Sequence, residues 1–182
     1  MNKRITKVTT KTGDKGTTGM ADGSRVSKAD PIINSIGEID ELNSLIGYLD
    51  SLPDSEDYRY LLRRIQNCLF DIGGSLSVGT QDSITKEEIL FVEEQIQKLN
   101  EKLPPLDNFI LPGGNQAAAF SQYARAVCRR CERSLVILDK NYSVEENKLV
   151  YLNRLSDLMF VIARSINQSK DCLLYTSPSP RD

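Results

Sequence analysis

Apolar residues return at intervals of three and four in five separate stretches of this chain, and almost nowhere do they alternate. That period brings side chains back to one face of an α-helix, whereas a half-buried strand needs a period of two. The first stretch opens with Asp30 and Pro31, an N-cap and first-turn pair, and continues through Ile32, Ile36, Ile39, Leu42, Ile46 and Leu49 until Pro53 ends it. Leu61, Ile65, Leu69, Ile72 and Leu76 form the second, released at Gly79. The capping box Thr85-Lys86-Glu87-Glu88 starts the third, with Ile89, Val92, Ile96, Leu99 and Leu103 on one face before Pro104-Pro105.

Asn115, after Leu111-Pro112-Gly113-Gly114, is placed to cap a fourth helix with Phe120, Tyr123, Ala124, Val127, Cys131, Leu135 and Leu138 on its apolar side. Ser143 and Glu146 read as a capping box for the fifth, which carries Leu152, Leu155, Met159, Ile162 and Ile166. The expected fold is all-α: an antiparallel five-helix bundle with up-down packing over residues 30–169, forming one domain with an N-terminal loop over 1–29. Only Ile5 to Thr10 shows strand-like alternation. Residues 170–182 lose the period, and their Ser-Pro repeats predict a disordered tail whose composition fits a cloning or sequencing scar.

Composition narrows the chemistry. Net charge is -2, from 23 Lys and Arg against 25 Asp and Glu, so no basic nucleic-acid footprint is present. No stretch reaches the roughly 18 apolar residues of a membrane span. The opening segment leads into no apolar signal region, and a cytoplasmic protein is expected. Histidine is absent, which removes Ser-His-Asp hydrolysis, zincin chemistry and ferritin-like di-iron sites. Cys128 and Cys131 have half the spacing of a zinc site, but they fall within one helix and no second pair accompanies them, so ordinary core or surface thiols in a reducing compartment are expected.

Two polar blocks stand out. Thr9-Thr10-Lys11-Thr12-Gly13-Asp14-Lys15-Gly16-Thr17-Thr18-Gly19 is rich in glycine and hydroxyl groups, which suits a backbone nest around phosphate oxygens. It lacks the Gly-Lys-Ser/Thr ending of a Walker A loop, and a plain solvated loop has the same composition. Downstream, Arg25 and Lys28 either reach phosphates or solvate a surface. The second block is Arg125, Arg129, Arg130 and Arg133, planar cations that suit polyphosphate. Three of them are four apart and share a helix face, which a solvated surface also explains. On the fifth helix Asn153, Arg154, Ser156 and Asp157 add groups able to hold a base or ribose, or an Arg154 to Asp157 ion pair.

Five segments in order, Thr10-Lys11-Thr12-Gly13-Asp14-Lys15-Gly16-Thr17-Thr18, Gly37-Glu38-Ile39-Asp40-Glu41-Leu42-Asn43, Phe109-Ile110-Leu111-Pro112-Gly113-Gly114, Arg129-Arg130-Cys131-Glu132-Arg133 and Tyr151-Leu152-Asn153-Arg154-Leu155-Ser156-Asp157, closely resemble the PduO-type ATP:cob(I)alamin adenosyltransferases. The likeness runs from about Val8 to Ile166. It implies a homotrimer of five-helix bundles, with ATP held between the loop of one subunit and the fourth and fifth helices of the next. The implied nucleotide site comprises Thr10, Lys11, Thr12, Gly13, Asp14, Lys15, Gly16, Thr17, Thr18, Lys28, Arg130, Glu132, Arg133 and Asn153. Mg2+ would ride on the phosphates, with no protein side chain as its expected ligand. Asp40 and Arg129 match a pair that meets across the interface near the corrin, and Phe109 matches the aromatic residue below cobalt.

Such an enzyme transfers the 5′-deoxyadenosyl group of ATP to cob(I)alamin, drawing on a reductase and feeding an adenosylcobalamin-dependent enzyme. The reaction fits a chain without histidine, because cob(I)alamin is itself the nucleophile and needs no base. Gln122 stands where family members often have His, and the C-terminal residues that help close over the corrin are replaced by the Ser-Pro tail. Two other readings remain at this level: a helical ATP-binding module without chemistry, and a structural partner whose arginines pair with a neighbour's carboxylates.

Overall fold

The computed structural model describes residues 9, 11–80, 83–172 and 175–177. Five helices dominate: α1 (Pro31–Ser51), α2 (Arg59–Val78), α3 (Lys86–Asn100), α4 (Gln116–Leu138) and α5 (Glu146–Ser169). They form the antiparallel bundle that the apolar period predicts. Helix α1 packs between α2 and α4, α4 lies against α5, and α5 against α3. One core runs through the bundle, with Leu42, Ile46, Leu62, Leu69, Leu135, Leu152 and Ile162 fully buried. Each fully buried side chain of that size contributes about 1.5–3 kcal/mol relative to exposure.

The helix ends follow local chemistry. Asp30 accepts the Ile32 N–H at 3.0 Å with Pro31 in the first turn, and Thr85 accepts the Glu88 N–H at 3.3 Å. Gly79 closes α2 in the left-handed region at φ 77, which spares a Cβ clash. Three details differ from the sequence reading. The cap of α5 is Glu145, with no side-chain cap bond, so the expected Ser143 and Glu146 box does not form. Helix α3 stops at Asn100, leaving Leu103 in the following turn. After Pro53 the chain makes a 3-10 helix (Pro53–Tyr58), held where the Ser55 hydroxyl donates to the Leu49 and Leu52 carbonyls.

Short strands decorate the bundle. β1 (Thr17–Gly19) pairs antiparallel with β2 (Arg25–Ser27), and this hairpin is tied to the end of α2 where the Ala21 N–H donates to the Ser77 carbonyl at 3.2 Å. β3 (Phe109–Ile110) pairs antiparallel with β4 (Thr176–Ser177), and the Leu111 N–H donates to the Tyr175 carbonyl at 2.9 Å. Residues 175–177 are therefore hydrogen-bonded, where an unpacked tail was expected. Ile5 to Val8 of the alternating stretch, Thr10 and the end of the Ser-Pro segment lie outside the described residues.

Candidate active site

The N-terminal loop is folded around two cations. Gly16 N–H donates to the Gly13 carbonyl at 3.2 Å, and Lys28 N–H to the Gly16 carbonyl at 2.9 Å. Gly16 sits at φ 78 and Lys11 at φ 59, the left-handed conformations that curl a backbone into a nest. A Cβ on Gly13 would lie 3.1 Å from Lys28 Nζ, so the missing side chain is what lets the ammonium approach the loop. Arg25 does not point away into solvent. Its guanidinium donates to the Thr12 carbonyl (2.7 Å), the Thr17 carbonyl (3.1 Å) and Thr17 Oγ1 (2.8 Å), stapling the two sides of the loop. Lys11, Thr12, Asp14, Lys15 and Gly16 remain exposed, with Gly13, Thr17 and Thr18 half-buried.

The arginines form the second half. Arg129 and Arg133 are exposed on α4, with Arg133 Nη1 donating to the Arg129 carbonyl at 3.0 Å. Arg130 turns to α1, where it pairs with the Glu41 carboxylate, and that bond raises its pKa above the ordinary arginine value. Its Nε and Glu38 Oε2 are buried atoms without a hydrogen-bond partner, and both residues line a cavity of about 510 Å3 with Asn34, Gly37 and Glu41. Glu132 accepts from Asn153 Nδ2 at 3.0 Å, and Asn153 Oδ1 accepts from Arg154 at 2.7 Å. Arg154 in turn pairs with Glu93 of α3 at 2.7 Å, so Asn153 is oriented by a three-helix polar chain rather than by an Arg154 to Asp157 pair.

Arg125 follows a different course. Its guanidinium lies over the Phe160 ring at 5.4 Å, and with Gln122 and Phe109 these residues line a cavity of about 560 Å3. Phe109 is 68% exposed at the mouth of that cavity. Asp40 and Arg129 are both exposed, and among the described residues no ion pair joins them. The cysteines behave as buried thiols: Cys128 donates to the Leu152 carbonyl and Cys131 to the Glu38 carbonyl, each at 3.1 Å. Among the described residues no cluster of three or more His, Cys, Asp or Glu is arranged to hold a metal.

Sequence reasoning identified the cations but not their fasteners. Neither Glu41 nor Glu93 is marked by spacing or motif as a partner of an arginine, and only the packing of α1 on α4 and of α3 on α5 shows what they grip. Glu41 lies within one of the five matched segments, which was the available signal. The two halves belong to different elements: the loop is tied to the end of α2, while the arginines stand on α4.

Comparison with known proteins places this geometry. The cobalamin adenosyltransferase family model matches residues 8–166. A "Cobalamin adenosyltransferase" of Cupriavidus metallidurans is 46% identical over 170 residues, covering 93% of this chain and 92% of the relative. A "Corrinoid adenosyltransferase" of Bacillus subtilis is 44% identical over 168 residues, covering 88% of this chain and 86% of the relative. Among solved structures, a variant PduO-type ATP:corrinoid adenosyltransferase from Lactobacillus reuteri complexed with cobalamin and ATP superposes with TM-score 0.89 at 33% identity, covering 95% of this chain and all of that one (100%). With sequence, bundle and polar face in agreement, the chain belongs to the cobalamin adenosyltransferase family.

Proposed function

We propose that this chain transfers the 5′-deoxyadenosyl group of ATP to cob(I)alamin, giving adenosylcobalamin and triphosphate, in a homotrimer whose sites lie between neighbours. The observation that carries this reading is the arginine face of α4, with exposed Arg129 and Arg133 beside Arg130 and the oriented Glu132 and Asn153. The loop around Lys28 supplies a second phosphate-binding surface on a separate element, which a neighbouring copy can bring to that face. Exposed Asp40 and Arg129 have the same requirement for a partner copy. The Lactobacillus reuteri relative binds cobalamin and ATP together.

The step balances without a protein base. The cobalt electron pair forms a bond to C5′, the C5′ to oxygen bond breaks, and triphosphate leaves with its electrons. Charge then grows on the leaving group, where Arg130, Arg133 and Lys28 stabilise it. The remaining work is alignment of nucleophile, carbon and leaving oxygen. The N–H groups and the Lys28 ammonium of the loop suit phosphate oxygens and ligate no cation, so Mg2+ would be held through the ATP phosphates and would neutralise charge on the nucleotide. Phe109 presses an apolar ring on the lower face of cobalt, excluding water and a lower ligand and so easing reduction of cob(II)alamin.

A reductase supplies the electron and an adenosylcobalamin-dependent enzyme receives the product. No helix among the described residues is long and apolar enough to cross a membrane. The cytoplasm is our proposed location for the reaction, the compartment in which a reductase can deliver cob(I)alamin. The test is spectral: anaerobic protein with ATP, Mg2+ and reduced cobalamin should produce the adenosylcobalamin spectrum. ATP binding by equilibrium dialysis with no such product would leave a nucleotide-binding module instead.

A further inference from the structure

Phe109 belongs to β3, whose outer side is paired with β4, and the turn that follows it is gripped by a buried side-chain amide. Asn167 lies near the end of α5 and is only 3% exposed. Its Oδ1 accepts from the Asn115 backbone N–H at 2.8 Å, and its Nδ2 donates to the Gly113 carbonyl at 3.0 Å. One carboxamide thereby closes on both sides of Gly114. Gly114 sits at φ 92, and a Cβ there would collide with that carboxamide, so both its conformation and its missing side chain are required.

The far side of the turn is fixed as well. Asn115 Oδ1 caps α4 by accepting the Ala117 N–H at 2.8 Å, and its Nδ2 donates to Asp54 at 2.7 Å. Asp54 is paired with Lys170 at 2.6 Å. Residues 113–115 are therefore tied to α5 and to the 3-10 helix, and Pro112 restricts the chain just before them. Phe109, three residues further back, has no comparable burial of its own at 68% exposed.

We propose that Asn167 is a positioning residue for the adenosyl transfer, its carboxamide fixing the Gly113 to Asn115 turn and through it the place of the Phe109 ring. The proposal rests on the reading of Phe109 given above. Without the clamp, a Gly-Gly turn regains its backbone freedom, and β3 keeps only its short pairing with β4, which lets strand and ring shift together against the cavity bordered by Gln122, Arg125 and Phe160. A displacement of about 1 Å at a reacting centre lowers a rate by up to a hundredfold.

The chain contains no tryptophan, so Phe109→Trp installs a single fluorescent reporter ahead of the turn. In that background Asn167→Leu should lower the emission anisotropy measured without ligands. On the native ring it should reduce turnover from cob(II)alamin by about ten- to a hundredfold, with ATP affinity within about twofold of the parent. Asn167→Asp adds a reversible arm that also covers a Leu variant too unstable to fold. At about pH 5 a buried, protonated carboxyl can both donate and accept, restoring anisotropy, whereas at about pH 8 a carboxylate faces the Gly113 carbonyl and opens the turn. The charged neighbours Asp54 and Lys170 stay ionised across this window, because their mutual bond lowers the pKa of Asp54 and raises that of Lys170.

Anisotropy unchanged in both Asn167 variants would overturn the clamp. So would normal cob(II)alamin turnover in Asn167→Leu when Phe109→Ala has lost it. If Phe109→Ala itself keeps turnover, the reading of Phe109 fails, and the anisotropy still decides whether Asn167 holds the turn.

Discussion

Glu41 of α1 accepts a hydrogen bond from the guanidinium of Arg130 on α4, so in the protomer the cation that we propose for triphosphate is already paired with a carboxylate. Both side chains are more than a third exposed, at 42% for Arg130 and 43% for Glu41, and such pairs are worth roughly 0–1 kcal/mol. Glu41→Gln should therefore shift the urea midpoint by less than about 1 kcal/mol equivalent. The same change removes a competitor for Arg130, and ATP should bind about two- to fivefold more tightly by titration calorimetry. Weaker ATP binding would mean that Glu41 aims Arg130 at the nucleotide rather than withholding it.

Among the described residues no carboxylate pairs with Arg133, which donates to the carbonyl of Arg129 one turn earlier. Its charge is free to meet growing negative charge on the leaving group. Arg133→Ala should raise the barrier by about 3 kcal/mol, a loss in kcat of roughly a hundredfold. The measurement is the rate of adenosylcobalamin formation at saturating ATP. A rise in KM with unchanged kcat would assign Arg133 to ground-state binding instead.

Arg25 shows a different signature because it works through the loop. Its three strong bonds to Thr12 and Thr17 hold the loop together with the backbone bonds at Gly13, Gly16 and Lys28 and the β1–β2 pairing. Arg25→Ala leaves every phosphate-facing group in place but lowers the fraction of chains with a formed nest. KM for ATP should rise about tenfold while kcat stays within about twofold of the parent. A fall in kcat alone would place Arg25 on the substrate.

These contrasts explain what could be read from residues alone. Helices α1 to α5 were legible because Leu42, Ile46, Leu69, Leu135 and Ile162 carry a period that only one backbone geometry satisfies. β1 and β2 were not, since three residues are too few to display a period of two. Tyr123 fits the apolar side of α4 by spacing yet is 50% exposed, where it meets Phe120 edge-on at 5.8 Å. The cations of the site were visible as types, whereas Glu41, Glu93 and Asn167 gain meaning only through neighbours 52 or more positions away. Asn167 was the hardest to see, because a polar residue beside Ile166 reads as the solvent side of a helix.

The buried thiols supply a prediction about pH. Burial pushes the Cys68 thiol up to about 11, and burial followed by the charge of Glu38 pushes Cys131 up to about 12. Cys128, the most deeply buried, moves in the same direction. In the unfolded chain each thiol titrates near its ordinary value of about 8.5. Above that pH the folded state binds more protons than the unfolded state, so stability falls as pH rises. The contribution is fully present below about pH 8 and should decline from about pH 9 toward pH 11, with a slope of about 1.4 kcal/mol per pH unit for each thiol. Urea unfolding between pH 7 and pH 10 measures the slope, and Cys131→Ala should reduce it. At about pH 8 a thiol-specific reagent should modify half-buried Cys172 rapidly while Cys68, Cys128 and Cys131 react only on unfolding. Rapid reaction of Cys131 in the native protein would show that α4 parts from α1 far more readily than its packing allows.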